Sequence, residues 1–326
     1  MPHPLRLALI GAGHMGVYHA RAIAEREDAC LVAVCDTDAG RARAVADEHG
    51  AEAVASVTDL AGRIDAAVVA ASTSAHRAVA VALAELGTPM LIEKPLAGTA
   101  DDARAIVRAV RDAGVVAQAG HILRFDPVTR AVAGRRLRPA YIEVLWVAPF
   151  SFRSLDVGVV MDVLIHGLDV VLALAGEMPD RVDAVGGIVV GPHEDFVNVR
   201  LGFPGGCVAT LSASRMSRSR QRLVRVFAPG AYLKMDYGER RVEMLSPGPD
   251  LRDRLEAGTL AGADMDALVA TESIPVEAQP DALRAQLAAF LDAVRTGAEP
   301  AVTVEDGLRA VELAERILAE LKPSAK

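Results

Sequence analysis

The sequence predicts an α/β plus α+β protein, with a doubly wound parallel sheet at the N-terminal end and an open, mostly antiparallel β-sheet domain after it. Three observations predict this. Up to about residue 121, short apolar runs alternate with amphipathic stretches, the pattern of βαβ units. A glycine-rich turn follows the first apolar run. Beyond that point the apolar runs succeed one another through turns too short for helical crossovers.

Strand candidates in the first part are Leu5–Ile10, Leu31–Cys35, Ala66–Ala70, Met90–Ile92 and Val115–Ala119. Helical stretches lie between them at Val17–Arg26, Gly40–His49, Ala75–Leu86 and Ala100–Asp112. Runs such as LALI and AAVVA carry no polar residue, as suits strands covered on both faces. In the second part Tyr141–Val147, Arg181–Val190, Phe196–Phe203, Cys207–Ser214, Arg222–Phe227 and Tyr232–Tyr237 read as strands. GPHED, PGG and APGA supply turns between them. One helical pattern, Val159–Ala175, interrupts the strands, and Ser246–Ser273 reads as an irregular excursion. Two helices close the chain, Pro280–Arg295 and Val304–Leu321, the second capped by Thr303 with Asp306 three residues on. The expected division is a dinucleotide-binding domain over 1–121 and a substrate-binding and oligomerisation domain over 122–326, with the last helices able to pack back on the first.

Composition narrows the function. The 326 residues suffice for two cores, and a net charge of −8 provides no global field for nucleic acid or an anionic membrane. Cys30, Cys35 and Cys207 show no metal-ligand spacing, so no metal is expected, and the thiols read as buried ones in a reducing compartment. MPHPLRLALIGAG runs straight into the glycine turn with no cleavage site, unlike a signal peptide. No run is long and apolar enough for a membrane span. A cytoplasmic protein with a small-molecule ligand is expected.

Gly11-Ala-Gly13-His-Met-Gly16 sits between a strand and a helix, and a second strand ends at Asp36, 20 residues beyond Gly16. This is the context of a Rossmann dinucleotide fingerprint. Gly11 permits the tight turn, Gly13 lets the pyrophosphate approach the backbone, and Gly16 lets helix and strand pack closely. A carboxylate at Asp36 accepts ribose hydroxyls and repels a 2′-phosphate, so NAD is expected rather than NADP, although Arg41 and Arg43 stand near in sequence.

Two further segments bear chemistry. Glu93-Lys94-Pro95 follows the fifth strand, at the carboxyl edge where open α/β sheets bind ligands, and Lys94 there could polarise a hydroxyl. An exposed loop lysine would look the same. Asp162, His166 and Asp169 interrupt an apolar helix at spacings of four and three. A structural Asp–His pair in a core fits that spacing equally well. A nicotinamide site shifts the balance, because hydroxyl oxidation needs a base and histidine is the usual one.

Together GAGHMG, Asp36, EKP and the DxxxHxxD helix resemble the Gfo/Idh/MocA family of pyridine-nucleotide sugar and inositol dehydrogenases, over essentially the whole chain. The resemblance implies catalytic roles for Lys94, Asp162 and His166. It implies cofactor contacts from Gly11, Gly13, His14, Met15, Gly16, Asp36, Ser72, His76, Glu93 and Lys94, and it raises the expectation of a cis Lys94–Pro95 bond. Narrower likenesses, in GHILRFDP (Gly120–Pro127), PFSFRSLDVG (Pro149–Gly158) and HEDF (His193–Phe196), point to the nucleotide-sugar branch, which includes UDP-N-acetylglucosamine 3-dehydrogenases. Asp126 departs from the usual Arg-Phe-Asn-Pro, and Ser72 stands where proline is common.

Arginine forks suit a pyrophosphate, so Arg124 and Arg153 are the candidate substrate ligands, with Asp162 and His166 beside the sugar. Arg215, Arg218, Arg220, Arg222 and Arg225 cluster around one turn and could also meet a pyrophosphate, but a solvated strand edge or a subunit contact accounts for them at least as well. The expected activity is NAD-dependent oxidation of a sugar hydroxyl, at C3 of a UDP-N-acetylhexosamine. The alternatives are a dehydrogenase of a free sugar or inositol, an NAD-using glycosidase, and an NAD-sensing regulator. A homodimer or homotetramer through the C-terminal sheet is expected.

Overall fold

Six short strands form the first sheet: β1 (Leu5–Ile10), β2 (Ala29–Cys35), β3 (Glu52–Val54), β4 (Ala66–Val69), β5 (Met90–Glu93) and β6 (Ala117–Gly120). All are parallel, in the order β3-β2-β1-β4-β5-β6. The computed structural model describes residues 3–150, 157–248, 250–259, 268–278 and 281–321. The chain divides into one unit of residues 1–125 with 281–315 and another of 126–280 with 316–326.

Helices α1 (His14–Ala24), α2 (Ala39–His49), α3 (His76–Glu85) and α4 (Ala100–Ala113) connect these strands. Their ends are written locally. Asp38 accepts N–H groups from Gly40 and Arg41, Thr99 accepts from Asp102, and Gly114 ends α4 in the left-handed region at φ 63°. Strand β3 was not legible because three residues cannot display an alternation. The chain lays down β1, β2 and β3 outward in one direction, then returns to place β4 on the other side of β1. The switch point therefore lies between the carboxyl ends of β1 and β4.

The second unit begins with α5 (Pro127–Ala131) and β7 (Tyr141–Val147). A single π turn over Val160–Leu164 then leads into α6 (Ile165–Ala175). Next come β8 (Arg181–Gly187), β9 (Phe196–Gly202), β10 (Val208–Ser214), β11 (Gln221–Ala228), β12 (Ala231–Asp236), β13 (Arg241–Pro247), α7 (Leu251–Glu256) and β14 (Val269–Ile274). Among the described residues the strands of this sheet are ordered β14-β13-β12-β11-β7-β10-β9-β8, with β7 and β10 parallel and the other neighbours antiparallel. The stretch expected to be irregular thus ends in a strand, β14. As an edge strand it is exposed at Ala270–Ser273 and shows no hydrophobic period. Residues 249 and 260–267 of that stretch lie outside the described residues.

One face of this sheet is buried through Ile142, Val144, Trp146, Val199, Leu211, Val224 and Leu233. Helix α6 lies across β7 and β10 on that face. A Cβ at Gly167 would stand 3.0 Å from Val144 and 3.6 Å from Leu211, so glycine sets how closely the helix approaches. The helix Ala282–Thr296 contributes Leu283, Leu287, Phe290 and Leu291 to the first unit's core, against Leu7, Leu9 and Ile23. The helix Val304–Glu320 opens with the expected cap: Thr303 Oγ1 accepts the Asp306 N–H at 3.1 Å while Asp306 accepts the Thr303 N–H at 3.0 Å. Of the free thiols Cys35 and Cys207 are buried, but Cys30 is exposed because it faces outward on β2, against the expectation of three buried ones.

Asp195, with no solvent exposure, organises the loop between β8 and β9. Its Oδ2 accepts N–H groups from Val189, Val190 and Gly191 at 2.6–3.0 Å, and its Oδ1 accepts Arg215 Nε at 2.7 Å. Burial pushes this carboxyl up, but the three amides and the guanidinium outweigh burial and hold it well below the carboxylate range. A depressed folded pKa gives stability that is complete above the unfolded value of about 3.9 and fades as pH falls toward the folded one. Asp195→Ala also leaves Arg215 buried without its partner, so it should cost about 3–5 kcal/mol at neutral pH. Urea unfolding at neutral pH and near pH 3 checks this, and the gap between wild type and variant should narrow in acid.

Candidate active site

The first unit's site is built at the switch point. Gly11 ends β1 at φ 101°, and a Cβ there would lie 2.5 Å from the backbone of Ala70 and Ala71 after β4. A Cβ on Gly16 would overlap the Gly11 carbonyl. Gly13 differs, because nothing lies within 4 Å of where its Cβ would be. The protein's own packing therefore does not require a glycine there, and the space that it leaves clear suits a ligand. Gly13 is also the N-cap of α1 with no side chain capping the helix, so the first-turn N–H groups can donate to an anion. These features fit a dinucleotide's pyrophosphate.

A cavity of about 410 Å³ continues from Gly11 past Asp36, Thr37, Arg41, Ser56 and Ser72. Asp36 is fixed in it by the Ala12 N–H at 2.7 Å, the Asp38 N–H at 2.8 Å and Arg41 at 3.1 Å. Burial raises its pKa, but those three donors lower it further, so the carboxyl stays ionised. His14 and Met15 are exposed on the first turn of α1, and His14 meets Tyr18 edge-on at 4.9 Å.

At the end of β5, Lys94 is half-buried and the Lys94–Pro95 bond is cis, as the resemblance implied. Buried His76 lies between two loops, its ring nitrogens 3.0 Å from the Pro95 carbonyl and 3.1 Å from that of Ala71. Burial, working against those backbone contacts, holds its pKa below the usual histidine value, so the ring is neutral and donates to one of them. Glu93 faces inward, where it bonds to fully buried His19 on α1 at 2.7 Å. Burial pushes Glu93 up, yet the bond to His19 and the neighbouring charges of His19 and Lys94 bring it below the ordinary range.

Sequence reasoning missed His19. The available signal was a histidine on the helix face that also carries Gly16, Ala20 and Ile23, all buried. His121, directly after β6, is buried with neither ring nitrogen hydrogen-bonded among the described residues.

In the second unit Asp162 lies in the π turn and His166 in the first turn of α6, both half-buried, with Asp169 buried behind them. The spacing predicted an uninterrupted α-helix; a π turn inside a helix is often a functional feature. The helix start is held by Glu194, whose carbonyl accepts the Val159 N–H at 2.9 Å and whose carboxylate accepts the Val160 N–H at 3.1 Å. Two otherwise orphaned donors are satisfied this way, and a negative charge faces the positive end of the helix dipole. A Cβ on Gly158 would overlap that carboxylate. Arg215, already bound to Asp195, also donates to the Val157 carbonyl at 3.2 Å.

The arginine candidates separate. Arg124 is ion-paired with Asp306 at 3.6 Å. Arg153 and Asp156 lie outside the described residues. Of the later cluster, Arg215 is buried with Asp195, Arg225 pairs with Glu143 at 2.5 Å on the open face of the sheet, and Arg222 lies on the covered face. Asp126 caps α5 by accepting the Val128 N–H at 2.8 Å. Asparagine caps equally well, so the departure from Arg-Phe-Asn-Pro preserves the turn. Among the described residues no cluster could hold a metal ion, and no helix is long and apolar enough to cross a membrane.

Residues 5–121 match the family model described as the oxidoreductase family with NAD-binding Rossmann fold, and residues 136–232 match that of the GFO/IDH/MocA C-terminal domain. The chain is 34% identical to the UDP-N-acetylglucosamine 3-dehydrogenase of Acidithiobacillus ferrooxidans over 89% of its length and 88% of the relative's. A solved structure of that enzyme superposes with a TM-score of 0.87 over 98% of both chains, at 33% identity. Inositol 2-dehydrogenase of Rhizobium meliloti is 28% identical over 95% of each chain.

Gly158→Ala should destabilise the protein and loosen the start of the helix that bears Asp162 and His166, because Glu194 has to move. Combining it with Glu194→Ala should recover much of the thermal stability, whereas additive losses in a melting experiment would contradict the contact.

Proposed function

The chain belongs to the Gfo/Idh/MocA family of oxidoreductases, and on that footing we propose that it oxidises a sugar hydroxyl to a ketone with NAD, at C3 of a UDP-N-acetylhexosamine such as UDP-N-acetylglucosamine. The observation that carries this reading is the 34% identity, over 89% of the chain, to a UDP-N-acetylglucosamine 3-dehydrogenase.

NAD, when bound, supplies a hydride acceptor. His166 takes the proton of the reacting hydroxyl as general base. Lys94 donates a hydrogen bond to the same oxygen and stabilises the negative charge that develops on it. Asp162 orients the sugar or the imidazole. Glu194 fixes the amides at the start of the helix from which Asp162 and His166 project. On the cofactor side, Gly13 and the first-turn amides of α1, which no side chain caps, hold the pyrophosphate, with His14 and Met15 beside them. Asp36 accepts the ribose hydroxyls and disfavours a 2′-phosphate, and Ser72 and His76 shape the neighbouring loop. Arg124 and Arg153 remain proposed substrate contacts, Arg124 by exchanging Asp306 for a phosphate.

A free sugar or inositol is the second reading, favoured by the likeness to inositol 2-dehydrogenases. The outward sheet face, with Tyr141, Phe227 and Tyr232 in contact at ring separations of 5.7 Å and 4.9 Å, fits a contact with a second copy of the chain. Free thiols and the use of NAD fit a cytoplasmic setting.

Absorbance of NADH decides the substrate class: UDP-N-acetylglucosamine should produce it with NAD, and free N-acetylglucosamine and inositol should not. A signal from the unactivated sugars alone would overturn the choice of substrate. His166→Ala should lower kcat roughly 100- to 10,000-fold without unfolding the protein, and a near-normal rate would remove His166 from the role. Asp36→Ala should weaken NAD binding and narrow the preference over NADP in cofactor titrations.

A further inference from the structure

On β11, Val224 and Val226 point into the covered face of the second unit's sheet, and both are fully buried. Arg222 is the third member of that row, since side chains two apart share a face. It pairs directly across from Trp146 of β7, with its guanidinium carbon 5.7 Å from the centre of the indole. Tyr237 packs on the same indole at 5.3 Å and is held by Thr129 through its hydroxyl at 2.9 Å. A cation in a core-facing row needs a partner. Among the described residues the Arg222 guanidinium makes no hydrogen bond or ion pair; its charge meets the indole face, repulsion from Arg220 and attraction from Asp126, whose Oδ1 accepts the Val128 N–H. Burial lowers its pKa, but a guanidinium remains charged at neutral pH.

The platform adjoins the site helix. Gly167 packs on Val144, and Trp146 follows on the same face of β7, about 7 Å along the strand. We propose that Arg222, laid on Trp146, seats the phosphate oxygens of a nucleotide-activated sugar and selects it over the free sugar. The flat guanidinium offers paired N–H donors at the spacing of two phosphate oxygens. The cation–π contact with the indole holds the guanidinium over that ring, and Arg220 adds positive potential. The identity of the sugar rests on the dehydrogenase reading; the anion seat does not.

Trp146 is the chain's single tryptophan, so its fluorescence reports on this seat without turnover. UDP and UDP-N-acetylglucosamine should each change the emission of the full chain saturably, with or without NAD, and N-acetylglucosamine should not. Arg222→Leu, apolar like its neighbours in the row, should weaken UDP at least about tenfold while leaving NAD affinity unchanged, and Arg222→Lys should fall between. Emission unmoved by UDP, or equal UDP affinity in Arg222→Leu, would overturn the proposal. So would a response to glucuronate without one to UDP, which would make the anion a sugar carboxylate. A chain that binds UDP through Arg222 yet reduces no NAD would sink the dehydrogenase reading and leave this seat standing.

Discussion

Backbone meeting backbone at the switch point of the first sheet is the constraint on which the rest depends. Gly11 must pass the loop after β4 at a distance where any side chain would strike Ala70, and Gly16 must lie against the Gly11 carbonyl. These approaches set the start of α1 beside the ends of β1 and β4, with no side chain capping that helix start. Asp36 then reaches Ala12 within the same turn and becomes part of the loop's structure as well as its charge. The Glu93–His19 bond ties the far side of α1 to the end of β5, so the glycine turn and the lysine loop share one anchor.

The second unit uses the same device with different chemistry. Gly167 lets α6 settle on the sheet, and Gly158 leaves room for the Glu194 carboxylate at the helix start. Glu194 itself belongs to a loop immobilised by the neighbouring Asp195 and Arg215, which have no and little exposure respectively. Charge buried in this way is costly unless its lone pairs are used, and the Asp195 carboxylate accepts hydrogen bonds from three backbone amides and the Arg215 guanidinium. Asp162 and His166 are therefore carried by a helix whose entry is set from outside its own sequence.

Local features were readable in the sequence. The glycine fingerprint, its distance to Asp36, the strand-end position of Lys94 and the Thr303–Asp306 cap are each encoded within about 20 residues. What was not readable depends on distant pairing. His19 and Glu93 are 74 positions apart, and Glu194 and Val160 are 34 apart. The edge strand β14 lacks a hydrophobic period because little packs on it. The arginine cluster could have been sorted in part by parity: Arg222 falls in step with Val224 and Val226, and Arg225 out of step. The fate of Arg215 required the position of Asp195.

Hydride transfer from sugar to cofactor is the central claim, and an isotope follows it most directly. UDP-N-acetylglucosamine deuterated at the sugar C3 would be incubated with NAD and the protein, and the reduced cofactor weighed by mass spectrometry. The account predicts reduced cofactor carrying a single deuterium, formed alongside a 3-keto sugar. Reduced cofactor without the label, or a hydrolysed sugar with no net reduction of NAD, would contradict it.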